Sequence, residues 1–328
     1  MTKKKSAKNK TIDLDINEGK KYLDKCIKAQ NITTLDSVLN KTINDDTFLV
    51  LDKLPDKCVD LLIVDPPYNL TKNYHGNTFS KKKEESYEEY TRNWMQKVRR
   101  VLKDEASIYV CCDWQSSIII SKVLSEFFVI QNRITWQREK GRGSMNNWKN
   151  GMEDIWFASV GQKYHFNVNS VKTCKKVIAP YRIDGKPKDW IQTEEGNFRH
   201  TYPSNLWNDI SIPYWSMPEN TAHPTQKPEK LVAKIILASS NENDVVLDPF
   251  LGSGTTSVVA KKLNRKFIGI EQNPLYCVWS EVRLEKAEND KNIQGYSQGV
   301  FWERNTSGIQ TKVNKKVKKY SKQMSLLD

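Results

Sequence analysis

The sequence has little of several things. None of its apolar runs reaches the roughly 18–20 residues that a helical membrane span needs, so none is expected. There are only four His, and the six cysteines (Cys26, Cys58, Cys111, Cys112, Cys174 and Cys277) include no C-x-x-C pair and no metal-ligand spacing with them. A metal site is therefore not expected, and the thiols read as reduced and mostly buried. Residues 1–10 are Lys-rich, but no apolar segment follows, so no secretory signal is read and the cytosol is the expected compartment. No internal repeat is present. With 38% apolar and 28% charged residues and ten Trp, the bulk of the 328-residue chain reads as folded rather than disordered or fibrous.

The net charge of +13 is unevenly placed. Five Lys in residues 1–10, and six Lys with one Asp in residues 311–328, hold ten of those thirteen charges. Such tails attract polyanions without naming one, and a solubilising end reads equally well. The charge is compatible with nucleic acid but does not establish it.

Strand and helix patterns alternate along two parts of the chain. The apolar run 59–64 reads as a buried strand, followed by a polar, Lys-rich loop over 69–85 that closes over DNA or is disordered. A capping box at Ser86–Glu89 precedes Tyr90, Trp94, Val98 and Val101 at helical spacing. Strand 107–112, helix 116–127 and strand 129–136 follow. From about 137 to 222 no regular pattern is visible. Alternation then resumes with Pro228 as a first helical residue, a helix to 239, strand 245–248, helix 255–263, strand 267–271 and helix 275–287. The expected architecture is a doubly wound α/β domain interrupted by an irregular insert, its two parts sharing one sheet.

Two segments could carry chemistry. In Val245-Val-Leu-Asp-Pro-Phe-Leu-Gly-Ser-Gly-Thr-Thr256, a strand stops at Asp248 and Gly252 and Gly254 allow a tight turn before a helix. An acid, Glu271, ends the next strand, where nucleotide folds hydrogen-bond ribose hydroxyls. Ser257 stands at the third glycine of the dinucleotide fingerprint and no Gly-Lys-Thr occurs, so a nucleoside ligand fits better than NAD or a P-loop nucleotide. The second segment is Asp65-Pro66-Pro67-Tyr68, at the carboxyl end of a strand. Two prolines stiffen the turn, Asp65 offers an anionic acceptor and Tyr68 a flat face. Those features suit an exocyclic amine on a planar base, its hydrogens going to the Asp65 carboxylate and the Pro66 carbonyl while Tyr68 stacks on the ring.

Together with His223-Pro-Thr-Gln-Lys-Pro228, these segments resemble the amino-group DNA methyltransferases that use S-adenosylmethionine. Their order resembles the β group of that family: catalytic tetrapeptide, recognition region, cofactor loop. The resemblance covers about residues 40–290. It implies a Rossmann-like methyltransferase fold, a mixed, mostly parallel sheet with helices on both faces plus an irregular target-recognition insert. It implies catalysis by Asp65, Pro66 and Tyr68, and S-adenosylmethionine held by Asp248, Phe250, Gly252, Gly254, Thr255, Glu271, Lys227 and Asp46. His223 caps a helix or packs. A carboxylate of ordinary basicity is too weak to deprotonate a neutral amine first, so Asp65 is expected to stabilise positive charge as the amine attacks directly. The target base must leave the duplex. No Pro is followed by Cys, which argues against carbon-5 cytosine methylation.

The resemblance places a basic tail at 1–10, the catalytic half at 11–139, target recognition at 140–220, the cofactor-binding half at 221–290 and an extension with a basic tail at 291–328. Six Trp (136, 148, 156, 190, 207, 215) lie in the middle region, each read as core before DNA contact. Arg138, Lys140 and Arg142 are the expected DNA contacts. The expected function is N6-adenine methylation of double-stranded DNA in a bacterial or phage-type cytoplasm, as the modification enzyme beside a cognate restriction endonuclease. An orphan enzyme and a homodimer are both consistent with the family. Alternatives, in order, are cytosine-N4 methylation, RNA base methylation and non-catalytic DNA binding.

Overall fold

The computed structural model describes residues 6–75, 77–138, 145–177, 181–193, 196–304 and 306. The chain clusters into two compact units, Met1–Phe166 with Asn205–Lys291, and Asn167–Ser204 with Asn292–Asp328.

The first unit is built on eight strands: β1 (Lys41–Ile43), β2 (Val59–Val64), β3 (Leu102–Cys112), β4 (Val129–Gln137), β5 (Met152–Ser159), β6 (Leu206–Trp207), β7 (Val245–Asp248) and β8 (Lys266–Ile270). They form one sheet in the order β1-β8-β7-β2-β3-β5-β4-β6. All pairings are parallel except those of β5, which runs against both β3 and β4. The sheet is thus mixed and mostly parallel, and both halves of the chain contribute to it, as expected. Among the described residues, six helices of seven residues or more accompany it: α1 (Thr47–Lys53), α2 (Glu84–Val101), α3 (Trp114–Phe127), α4 (Glu229–Ser239), α5 (Thr255–Lys262) and α6 (Pro274–Asn289).

Burial explains the strands. In β2 every residue but Asp60 is buried, because both faces are covered. Leu62 and Val64 join Val50 and Leu51 of α1, Trp94, Met95 and Val98 of α2, and Ile120, Val123 and Leu124 of α3 in one core. Helices α4, α5 and α6 pack on one another and against β2, β7, β8 and β1.

Some local signals resolve differently. Helix α2 starts at Glu84 behind Lys83, with no side-chain cap, so Ser86 and Glu89 form no capping box. Glu84 and Glu85 instead place negative charge in the first turn. Helix α3 is capped by Asp113, which accepts from Ser116 N at 2.8 Å. Pro228 is the N-cap of α4 rather than its first residue. Loop 69–85 contains a hairpin, Lys72–Tyr74 paired with Asn77–Phe79. The stretch 137–222, read as irregular, contains β5 and β6 of the main sheet. Strand β5 escapes notice because it opens Met-Glu-Asp, yet Glu153 and Asp154 are buried, with Asp154 accepting from Ser117 Oγ at 2.9 Å.

The second unit carries a five-stranded sheet in the order Ile191–Thr193, Gly196–Thr201, Thr173–Lys176, Val300–Trp302, Tyr296–Ser297. Cys174, Phe198, Val300 and Trp302 form its core. The chain beyond 291 thus completes a sheet begun by the insert.

A buried charge cluster braces α4 in the first unit. The Asp209 carboxylate is ion-paired with Lys230 at 2.8 Å and accepts from Lys234 at 2.7 Å, while the Asp209 carbonyl accepts from Lys230 Nζ at 2.7 Å. Burial alone would raise the Asp209 carboxyl, but the two ammoniums outweigh it and hold it below the ordinary range. A depressed carboxyl contributes stability above its unfolded value that is lost as pH falls through its folded value. Asp209→Ala is expected to cost about 3–5 kcal/mol in urea unfolding at pH 7. Below about pH 4 the gap between variant and wild type should narrow.

Candidate active site

The topology delivers four acids to one edge. Asp65 follows β2, Asp248 ends β7, Glu271 follows β8, and Asp46 lies beyond β1 as the N-cap of α1. The strand order β1-β8-β7-β2 sets them side by side at the carboxyl ends, where open α/β sheets take ligands. All four line a cleft of about 420 Å³, a size that suits a nucleoside-sized molecule. Because β5 is antiparallel, its first residues reach the same edge, and Glu153 lines the cleft too.

Around Asp65 the charges interlock. Its Oδ1 accepts from the Tyr68 hydroxyl at 2.8 Å and its Oδ2 from Lys227 Nζ at 2.6 Å. Lys227 Nζ is also 3.3 Å from Glu153 Oε2, and Arg138 ion-pairs with Glu153 Oε1. Burial would lower the Lys227 ammonium, but Asp65 and Glu153 outweigh it and raise it, so it stays charged. Burial first, then the two carboxylates, push the Tyr68 phenol well up, which keeps it a neutral donor. The Pro67 carbonyl accepts from Tyr87 Oη at 3.0 Å, pinning the turn.

The glycine loop is equally constrained. Gly252 and Gly254 have φ of +55° and +87°, a region that favours glycine. A Cβ on Gly254 would fall 2.2 Å from Ser280 Oγ and 2.8 Å from its Cα, so α5 docks on α6 only without a side chain there. Glu271 accepts from Gly252 N at 2.8 Å and Asn273 N at 2.7 Å, and Asp248 from Thr256 Oγ1 at 2.6 Å and Phe250 N at 3.1 Å. Burial raises both carboxyls to about 7. Buried acids that are costly to charge, opening on a cleft, are a fitting cradle for a cationic or hydroxyl-bearing ligand. Each Glu271 oxygen keeps a second lone pair for a donor.

Other expected residues fall as follows. Asp46 accepts from Phe48 N and Leu49 N as a helix cap. Phe250 packs edge-on to Trp94 at 6.1 Å. Thr255 Oγ1 donates to the Lys227 carbonyl at 3.0 Å, so Lys227 touches the loop through its backbone and Asp65 through its ammonium. His223 packs rather than caps: its ring lies 4.4 Å from that of Tyr276 and beside Gly252, and burial lowers it to about 3. Lys140 and Arg142 lie outside the described residues. Trp136, Trp190 and Trp207 are buried and Trp156 partly so, whereas Trp148 and Trp215 are exposed. Among the described residues no group of three His, Cys, Asp or Glu is placed to hold a metal ion. Glu153 was not legible from sequence; the one signal was the apolar run Ile155-Trp-Phe-Ala158 behind it.

A family model described as DNA methylase, of the N6/N4 type, matches residues 59–281. The chain is also 34% identical over 252 residues to the type II methyltransferase M.HpaI of Haemophilus parainfluenzae, covering 76% of this chain and 75% of that protein. It belongs to the N6/N4 DNA methylase family. This methylase is likewise 34% identical over 255 residues to the DNA adenine methyltransferase YhdJ of Escherichia coli (strain K12), covering 75% of its own chain and 83% of that one. Among solved structures, PvuII DNA methyltransferase (cytosine-N4-specific) shares the fold, with a TM-score of 0.57 over 76% of this chain and 90% of that one at 20% identity.

The raised acids make a testable mark on this methylase. A raised carboxyl leaves stability intact below its unfolded value near 4 and drains it as pH rises through about 7. Asp248→Asn keeps an acceptor for Phe250 N and can donate to Thr256. Measured without ligand, it should be more stable than wild type by on the order of 2–4 kcal/mol at pH 8 and equal to it near pH 4.

Proposed function

We propose that this DNA methylase transfers a methyl group from S-adenosylmethionine to the N6 amino group of an adenine flipped out of double-stranded DNA. One observation carries the reading: Asp65 opens into the same cleft as Asp248 and Glu271, so an amine acceptor and a nucleoside cradle share one space. S-Adenosylmethionine, when bound, supplies an electrophilic methyl on a sulfonium. Glu271 accepts ribose hydroxyls through its remaining lone pairs, Asp46 and Asp248 add negative potential, and Phe250 offers an apolar wall. Gly252 and Gly254 let the backbone come close.

The Asp65 carboxylate and the Pro66 carbonyl accept the two amino hydrogens. That draws the nitrogen lone pair out of conjugation and stabilises the positive charge that grows as the new bond forms. Tyr68 gives the flipped base a face to stack on, offsetting part of the few kcal/mol of unstacking. Holding the amine in line contributes most of the remaining acceleration. Lys140 and Arg142 carry the DNA-contact role; Arg138, paired with Glu153, serves the wall of the cleft.

Asp at the first tetrapeptide position and the relative named as an adenine methyltransferase support adenine over cytosine. Relatives named type II methyltransferases support a modification role beside a cognate restriction endonuclease. Sequencing that reads modified bases in DNA from cells expressing the protein should show N6-methyladenine in one short motif. N4-methylcytosine there overturns the base assignment, and no modified base overturns the reaction. Asp65→Ala should lower methyl transfer by at least about 10³-fold while leaving the Kd for S-adenosylmethionine within about threefold, by calorimetry.

A further inference from the structure

Two donors lie between the same two carboxylates. Lys227 Nζ is 2.6 Å from Asp65 Oδ2 and 3.3 Å from Glu153 Oε2. The Tyr68 hydroxyl is 2.8 Å from Asp65 Oδ1 and 3.3 Å from that same Glu153 Oε2. Both donors sit closer to Asp65; the Tyr68 hydroxyl has Glu153 Oε2 as its second acceptor, and Lys227, which also donates to the Tyr68 hydroxyl at 3.2 Å, is ion-paired with that same oxygen. Arg138 holds the other oxygen, Oε1, which fixes Glu153 in place. The side chains of Glu153 and Lys227 are 5% and 9% exposed, whereas that of Asp65 is 23% exposed and is the carboxylate an incoming molecule can reach.

In this arrangement Lys227 and Tyr68 compete with a target amine for Asp65. A buried ammonium cannot simply be released, since stranding it costs several kcal/mol. It needs another anion within a fraction of an ångström of travel. Of the other groups facing Asp65, Lys72 is a cation and Cys111 is a buried thiol kept neutral, and Asp248 already holds Thr256 and Phe250 N. Among the described residues, Glu153 is the remaining anion paired with Lys227.

We propose that Glu153 is a positioning residue for methyl transfer: as the amine binds Asp65, Glu153 takes over Lys227 and the Tyr68 hydroxyl. Asp65 is then freed for the substrate without leaving a cation unpaired. The inference rests on the methyl-transfer reading above and adds a residue and an exchange of hydrogen bonds to it; no covalent bond is made or broken in the exchange.

The test is a double-mutant cycle on the full chain, with labelled S-adenosylmethionine and DNA from cells that lack the protein. In E153Q, Lys227 has Asp65 as its one anion, so kcat should fall about tenfold or more. KM for DNA and the Kd for S-adenosylmethionine should stay within about twofold, because the lost interaction acts only as the amine engages. K227Q, which leaves two buried carboxylates together, should also fall. The charge-balanced E153Q/K227Q variant should be about tenfold more active than the product of the single losses. Multiplicative losses in the double variant, or a raised KM with unchanged kcat in E153Q, overturn the proposal. If E153Q does not fold, E153D keeps the charge but withdraws the oxygen by one methylene; a reduced kcat with unchanged KM supports the exchange, and wild-type kcat overturns it. A wild-type protein that methylates no DNA removes the reaction itself, whereas an active wild type with independent losses removes only the role of Glu153.

Discussion

The cleft depends on the pairing of β2 with β7. Val246 and Leu247 lie beside Leu61 and Leu62 in parallel, although the two strands come from distant parts of the chain. Neither half has a ligand site of its own. The first half ends a strand in Asp65-Pro-Pro-Tyr and the second ends one in Asp248-Pro-Phe-Leu-Gly. Only when the apolar runs behind those motifs zip together do the Asp65 turn and the glycine loop face one space. The driving force is ordinary burial of Val, Leu and Ile on both faces of the sheet. The chemistry is therefore positioned by residues that take no part in it.

What was legible in the sequence follows from how local each signal is. The β2 run with Asp65, the β7 run with its glycine turn, and Glu271 one strand later are each written in a few consecutive residues, and the strands and helices around them fall where the pattern puts them. Glu153 and the partners of Lys227 were hidden for a physical reason. A buried acid looks like a surface acid until its counter-charge is known, and the counter-charges of Glu153 come from Arg138 on one side and Lys227 on the other. Strand β5 was hidden with it, since two acids at its start break the apolar pattern. Ser86–Glu89 shows the opposite failure, a strong local signal overridden because Glu84 and Glu85 already begin the helix. The sheet that joins Val300–Trp302 to Thr173–Lys176 depends on pairing across more than a hundred residues, which no local pattern carries.

The site also has an energetic asymmetry. Around Asp65, cations and anions balance, and the donors are shared. Around the glycine loop the balance is negative: Asp248 and Glu271 are buried and lean on backbone N–H groups and a hydroxyl rather than on cations. The fold tolerates this because Arg283, bonded to Ser253 O, Thr255 and Glu229, ties the loop to α6 and α4. The loop thus keeps its shape through Arg283, which bonds a carbonyl, a hydroxyl and Glu229 rather than the two raised carboxyls. Stability given up at such acids is recovered when the ligand binds.

The reversed direction of β5 has a wider consequence. A strand entered from the cleft edge obliges the chain to leave β4 and return to β5 at that edge, where Gln137 pairs with Met152 and Arg138 N donates to the Gly151 carbonyl at 2.7 Å. In a wholly parallel sheet the corresponding connection would cross to the far side and be committed to a helix. Here the chain between Arg138 and Gly151 can change in length and composition with no strand moved. The fold thus separates the strands, which must stay fixed for chemistry, from a connection that can diversify without moving them.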